Sequence, residues 1–223
     1  MSLDTTPHSP ADRGAETGHG HDRRNQDRRR EEVLAAAAEC FMRRGYEATS
    51  MDHVAEALGA TKGRVYHHFR SKPDLFFAVY RRAMDINMQA VAPHAEGPGT
   101  GRERLTRMAE AHTLAMMESQ PFQRTLTMGA DLWRFGGAQE HAATLDDLIA
   151  LRHIYEGLFR GVVDQGLADG SLAVPDAPLA VKTLLGALNW VTVWYSKRPN
   201  ETRAQRLELA EILTRTVLGG FEP

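Results

Sequence analysis

In the stretch GYEATSMDHVAEALGATKGRVYHHFRSKPDLF, Gly45 to Phe76, Ser50 offers a side-chain oxygen to the open end of a helix. Met51, Val54, Ala55 and Leu58 then recur at the spacing of one helical face until Gly59 ends it. Thr61 caps a second short helix, about Lys62 to Phe69, after the tight turn Gly59-Ala60-Thr61. In Ser71-Lys72-Pro73-Asp74, serine at a cap, proline in the first turn and an acid three positions on start another helix. Two short helices about a tight turn, after a longer helix and before a fourth, have the layout of a helix-turn-helix, whose second helix enters the DNA major groove.

Within that second helix Val65 and Phe69 stand at i and i+4 and turn inward, which leaves Lys62, Gly63, Arg64, Tyr66, His67 and His68 toward solvent or DNA. Arg64 suits bidentate donation to guanine, Lys62 donates as a mobile point charge, and Gly63 lets the backbone come near the groove. Tyr66 and His67 can donate to phosphate oxygens, as can Lys72 at a helix start where the dipole favours an anion. Thr49 and Ser50 add phosphate contacts from the first turn of the preceding helix, and Thr61 joins the DNA-facing set from its cap. His67 and His68 project about 100° apart with no third ligand at helical spacing, so a metal site is not expected. Between Thr61 and Lys72 every charged residue is basic, and Arg23, Arg24, Arg28, Arg29 and Arg30 crowd the start of the first helix. This local segregation matters more than the net charge of -2.

The same stretch resembles the DNA-binding domain of the TetR family of repressors. The resemblance lies in Gly45-Tyr46-x-x-Thr49, the pair Val54-Ala55, the Gly59 turn, Tyr66-x-His68-Phe69 and Lys72. It implies that Lys62, Gly63, Arg64, Tyr66, His67 and Lys72 occupy the family's DNA-contacting positions. It also implies that the C-terminal helices form a ligand pocket and a dimer interface. Pro73 departs from the family, which often has an acid there, but the first turn of a helix tolerates proline.

Outward from this segment the chain is expected to be all-α. Residues 1–26, rich in Pro, Gly, His and charge, read as a disordered arm. Residues 27–72 read as the DNA-binding domain, and 73–223 as a helical ligand-binding and dimerisation domain joined to it by a helix over 73–91. Val33, Ala36, Ala37, Cys40 and Phe41 make one face of the first helix, which Gly45 stops. Pro93 to Gly101 is a linker by composition. Helical patterns follow at about Arg102–Glu118, Phe122–Phe135, Leu145–Gly166, Leu179–Tyr195 and Arg203–Leu218, with a break at Gly166, Gly170 and Pro175. The single Cys40 excludes an intramolecular disulfide, and no apolar run approaches the roughly 20 residues of a membrane span, so a cytoplasmic location is expected. No cofactor is expected. No Gly-x-Ser-x-Gly, His-Glu-x-x-His or Cys/His pair with a supporting acid occurs, and His112, His141 and His153 are scattered, so a helical enzyme or lipid carrier is the remote reading.

Aromatic and sulfur side chains concentrate in the C-terminal half, where Met116, Phe122, Trp133, Phe159, Asn189 and Trp190 are candidates for an adaptable apolar pocket. Leu188 to Tyr195, LNWVTVWY, is similar to a segment of a TetR subgroup that controls fatty-acid, aromatic-acid and sterol breakdown and releases DNA on binding acyl-CoA thioesters. Asn189 needs a hydrogen-bond partner if buried, and Trp190 with Trp194 suits equally a ligand face or a lock between the last two helices. Arg124, Arg134 and Arg152 can pair with ligand phosphates or with surface acids. Leu184, Leu188, Val191, Leu209, Ile212, Leu213 and Val217 would form a four-helix dimer interface, placing two recognition helices about 34 Å apart on double-stranded DNA with a near-palindromic operator. The effector expected from these features is a small hydrophobic molecule, with an acyl-CoA first. The alternative is a regulator of efflux answering a drug-like hydrophobic ligand.

Overall fold

The first helix, α1 (Glu16–Arg44), ends where Gly45 takes φ +76°, a left-handed backbone that glycine adopts at no steric cost. Beyond it run α2 (Met51–Ala57), α3 (Lys62–His68), α4 (Lys72–Ala95), α5 (Gly101–Glu118) and α6 (Gln120–Arg134). Then come α7 (Ala142–Ala168), α8 (Ala177–Asn189), the single turn α9 (Val191–Trp194) and α10 (Arg203–Leu218). The computed structural model describes residues 16–134 and 141–221, with the side chains of 16–22 and 128–134 excepted, and no strand occurs among the described residues.

α1 begins well before the apolar face at Val33, so residues 16–26 of the expected disordered arm are helical; residues 1–15 lie outside those described. No proline follows Pro10 in this part of the chain, and Arg, Gln and Glu are good helix formers. Within it the described side chains, Arg23 to Gln26, are exposed or half-buried and enter no apolar cluster.

One apolar cluster joins Val33, Leu34, Ala37 and Phe41 of α1 to Val54 and Ala55 of α2, Val65 of α3, Phe69, and Leu75, Phe76 and Val79 of α4. Phe41 and Phe76 meet edge to face at 5.3 Å, and Tyr46 closes on Phe76 at 4.9 Å. A phenyl ring buried as these two are stabilises the fold by roughly 1.5–3 kcal/mol. The rest of α4 enters a second cluster through Tyr80, Met84 and Val91, against Leu105 and Met108 of α5, Phe159 and Val163 of α7, and Leu184 and Leu188 of α8. α4 is thus one rod with its N-terminal turns in one core and its C-terminal turns in the other.

α5 and α7 cross at glycine. A methyl on Gly101 would lie 2.2 Å from the Cα of Gly166, and one on Gly166 would lie 2.4 Å from Leu172. Gly166 lies inside α7, whereas the sequence pattern ends a helix there. The break falls at Gly170, φ +74°. The expected continuous helix Leu179–Tyr195 is likewise interrupted: α8 stops at Asn189 and Trp190 lies between it and α9. Leu184, Leu188 and Val191, expected at a dimer interface, are buried within their own chain.

Candidate functional site

α3 is seated by Val65, fully buried, and by Phe69 just past its end, which is 5% exposed. That anchoring fixes which side chains face out. Lys62, Gly63 and Tyr66 are exposed, Tyr66 to 50%, as is His67. Lys62 pairs with Asp52 of α2, whose hydrogen bond holds the ammonium above its usual pKa. Arg64 pairs with Glu32 of α1. His68 is half-buried, and desolvation, then the nearby His67 and Arg30, push its imidazole pKa down. The added methyl of an alanine at position 63 would meet nothing nearer than the Thr61 hydroxyl at 3.9 Å, so glycine there is not demanded by the fold.

Ser50 caps α2 through a reciprocal pair: its Oγ accepts from the His53 amide at 3.2 Å, and His53 Nδ1 accepts from the Ser50 amide at 3.2 Å. Thr61 caps α3 by backbone position only, and its exposed hydroxyl makes no capping bond. Thr49 is a correction. It is 3% exposed, and its hydroxyl donates to the Gly45 carbonyl at 2.7 Å, with the Cys40 carbonyl at 3.2 Å, so it ties down the end of α1 in place of contacting phosphate. Lys72 donates to the carbonyls of Tyr46 and Glu47 at 3.0 and 3.3 Å and lies 4.3 Å from the centre of the Tyr46 ring. It pins the same turn, with one of its three N–H donors left for an anion. Beside α3 a cleft of about 560 Å³ is lined by Arg28, Arg29 and Glu32 of α1 with Arg64, His67 and His68. This surface is positive and concave, suited to a polyanion's backbone. Among the described residues no group of three or more His, Cys, Asp or Glu could hold a metal ion.

A second cavity, about 400 Å³, lies between α4, α5, α6, α7 and α8. Its centre is polar. His112 is fully buried, with Nδ1 2.7 Å from the Tyr155 hydroxyl and Nε2 3.1 Å from Asn189 Oδ1. An amide oxygen against Nε2 requires the ring proton there, so Nδ1 accepts from Tyr155. Burial keeps the imidazole neutral and lowers its pKa to about 4, the Asn189 hydrogen bond opposing that shift. Burial also raises the Tyr155 phenol and pushes Tyr80 up to about 12. Asn87 and Gln123 exchange two amide hydrogen bonds, 3.1 and 2.9 Å, in a buried pair bridging α4 and α6. Arg152, Glu156 and Lys182 complete the lining.

Of the residues expected to bind ligand, Met116 and Asn189 line this cavity, as does Arg152, a candidate for ligand phosphates. Phe159 is buried behind it, edge-on to His112 at 6.1 Å. Phe122 packs on the core beneath the recognition helix instead, because the first turn of α6 lies against α1 and α4. Trp190 is 62% exposed and is not among the residues lining the cavity. The side chain of Trp133 lies outside the described residues. Asn87, His112 and Gln123 line the cavity without having been expected there. Their signal is polar side chains on otherwise apolar helical faces, as in AEAHTLAMM, where a buried imidazole must find partners.

Residues 33–79 match the family model of bacterial regulatory proteins of the tetR family, and residues 98–221 match that of the tetracyclin repressor-like C-terminal domain. The HTH-type transcriptional activator FasR of Mycolicibacterium smegmatis is 38% identical over 86 residues, 39% of this chain and 39% of FasR. The chain spans less than two thirds of the length of the first curated relatives it matches. The crystal structure of the TetR regulator PfmR from Thermus thermophilus is 30% identical, with TM-score 0.72 over 86% of this chain and 99% of PfmR. AibR in complex with isovaleryl coenzyme A and operator DNA shares the fold at TM-score 0.69 and 22% identity, over 87% of this chain and 99% of AibR.

Proposed function

This chain belongs to the TetR family of bacterial transcriptional regulators, and from that premise we propose that it is a repressor released from a palindromic operator by a small effector, an acyl-CoA thioester. Lys62 and Arg64 read base edges, while Tyr66, His67, Ser50, Thr61 and the third donor of Lys72 hold phosphates. Each base-reading cation must exchange a carboxylate, Asp52 or Glu32, for DNA.

The observation that carries the coupling is the first turn of α6. Phe122 packs into the core that seats α3, and its neighbour Gln123 faces the cavity, paired with Asn87 of α4. A ligand that draws on either amide displaces α6 or α4, and with it the core beneath the recognition helix. It shifts the equilibrium only by its difference in affinity for the two arrangements. A thioester effector is supported by the LNWVTVWY segment and by the isovaleryl coenzyme A complex of AibR. The buried amides and imidazole argue against a purely apolar, drug-like effector.

The working unit is a homodimer. Leu179, Thr183, Gly186, Ala187, Trp190 and Trp194 form an exposed stripe along α8 and α9, beside Ile212 of α10, 49% exposed. An apolar stripe with two indoles and a small-residue waist is a surface to be covered by its own copy. No helix of the described residues is long and apolar enough to cross a membrane. A regulator that works on an operator acts in the cytoplasm.

Anisotropy titration of DNA from around the protein's own gene tests this. Salt-sensitive binding to one fragment, lost in Arg64→Ala/Tyr66→Ala and relieved by a thioester, is expected. A DNA affinity indifferent to every acyl-CoA removes the thioester, and absence of any fragment preference removes the operator itself.

A further inference from the structure

The effector cavity has two unlike ends. Tyr80 and Asn87 on α4, and Lys182 and Asn189 on α8, are each seven positions apart, so each pair spans about 10 Å along its helix. At the first end Arg152 lies beside the Tyr80 hydroxyl, and both Arg152 and Lys182 pair with Glu156, at 3.6 and 3.4 Å. Two cations and one carboxylate leave a net single positive charge. At the other end each side-chain amide oxygen already accepts one hydrogen bond. Asn189 Oδ1 accepts from His112, Asn87 Oδ1 from Gln123, and Gln123 Oε1 from Asn87. Both Gln123 N–H groups are spent, on Asn87 and on Ser119 Oγ at 2.9 Å. The amide N–H groups of Asn189 and the second N–H of Asn87 make none, and so can donate to a ligand. Met84, Leu126 and Leu185 form an apolar band between the ends.

We propose that the cavity takes a bifunctional acyl chain about 10 Å long, anionic at one end and carrying a carbonyl oxygen at the other. The anion lies on Lys182 and Arg152, and the carbonyl accepts from Asn87 and Asn189. The assignment rests on reading this cavity as the effector site. A volume of about 400 Å³ is near the lower end for small-molecule sites, so the chain enters and any nucleotide attached to it stays outside the rim. The anion has two sources: the chain's own free carboxylate or, where the chain is a neutral coenzyme A thioester, a phosphate of the carrier reaching the exposed Lys182 at the rim over its flexible pantetheine arm.

Isothermal titration of the full chain tests the proposal with decanoic acid, its oxo derivative with the ketone beside the terminal methyl, the methyl ketone lacking the acid, and the thioester of the oxo acid. The oxo acid should bind about tenfold tighter than either single-function control. Lys182→Gln, on a side chain 66% exposed, should weaken the oxo acid about tenfold and leave the methyl ketone unaltered. Asn189→Leu should erase the advantage of the ketone; if it does not fold, the Lys182→Gln comparison decides alone. Tighter binding of the thioester identifies coenzyme A as the carrier, tighter binding of the acid identifies the free acid, and both support the shared chemistry. Equal affinity for decanoic and oxo acids, an acid preference that survives Lys182→Gln, or no binding at millimolar concentration overturns it. Operator release is read separately: an oxo acid that binds in this pattern but leaves DNA bound refutes the release mechanism and leaves the ligand assignment standing.

Discussion

Replacing His112 by Gln should flatten part of the acid dependence of stability. The imidazole is fully buried, accepts from Tyr155 and donates to Asn189, and burial lowers its pKa to about 4 from an ordinary value of 6.5. Between those values the unfolded chain binds a proton that the folded chain refuses, so stability rises with pH across that window and falls as pH drops from about 6.5 toward 4. The shift corresponds to about 3 kcal/mol in full, of which about 2 kcal/mol is realised between pH 7 and pH 4.5. Glutamine can accept from Tyr155 and donate to Asn189 without titrating, so the variant carries a pH-independent packing cost and loses this slope. Urea unfolding of both proteins at several pH values isolates the difference, since carboxylates elsewhere contribute equally to both. Parallel stability curves for wild type and His112→Gln down to about pH 4.5 would refute the reasoning, because they require an imidazole that titrates alike folded and unfolded.

Gly63→Ala should raise stability by about 0.5–1 kcal/mol through helix propensity, with open space for its methyl, yet weaken operator binding at least about tenfold; thermal melts and anisotropy separate the two effects. Gly101→Ala should cost roughly 1–3 kcal/mol or more in urea unfolding, because its methyl would sit 2.2 Å from a backbone atom of Gly166 that no side-chain rotation can move. Trp190→Glu should leave the helical circular dichroism intact but shift sedimentation toward a monomer, with operator affinity falling in step. An unchanged dimer would place the seam on another face.

The recognition helix is legible in the sequence because its signals are local. Ser50, Gly59, Thr61 and Ser71 punctuate the chain within a few residues of the helices they bound, and the i, i+4 pair Val65 and Phe69 fixes the outward face without long-range information. What each outward group does in the folded chain is less local. Thr49 looks like any first-turn hydroxyl, and only the return of the chain past Gly45 and Cys40 shows that its hydrogen bond is taken. The cavity is hidden for the same reason, magnified: Asn87, His112, Gln123, Tyr155 and Asn189 come from five helices, and each alone is a polar interruption of an apolar stripe. Apolar periodicity identifies what is buried but not which core it enters.

Phe122 and Gln123 carry that distinction into the proposed mechanism. Adjacent residues on a helix project about 100° apart, so at one point of α6 the phenyl ring is committed to the core under α3 while the amide is committed to the cavity. A helix at a boundary between two packed clusters cannot rotate or slide to suit one without disturbing the other, because close-packed interiors lack slack on the scale of a methyl group. The Asn87–Gln123 pair adds a buried polar bond whose loss leaves unsatisfied groups, so occupancy near it favours discrete arrangements of α4 and α6 over a graded strain. On the proposed mechanism effector chemistry and DNA spacing meet in one turn of helix, and a ligand that fills the apolar band without engaging those amides should bind and leave the operator occupied.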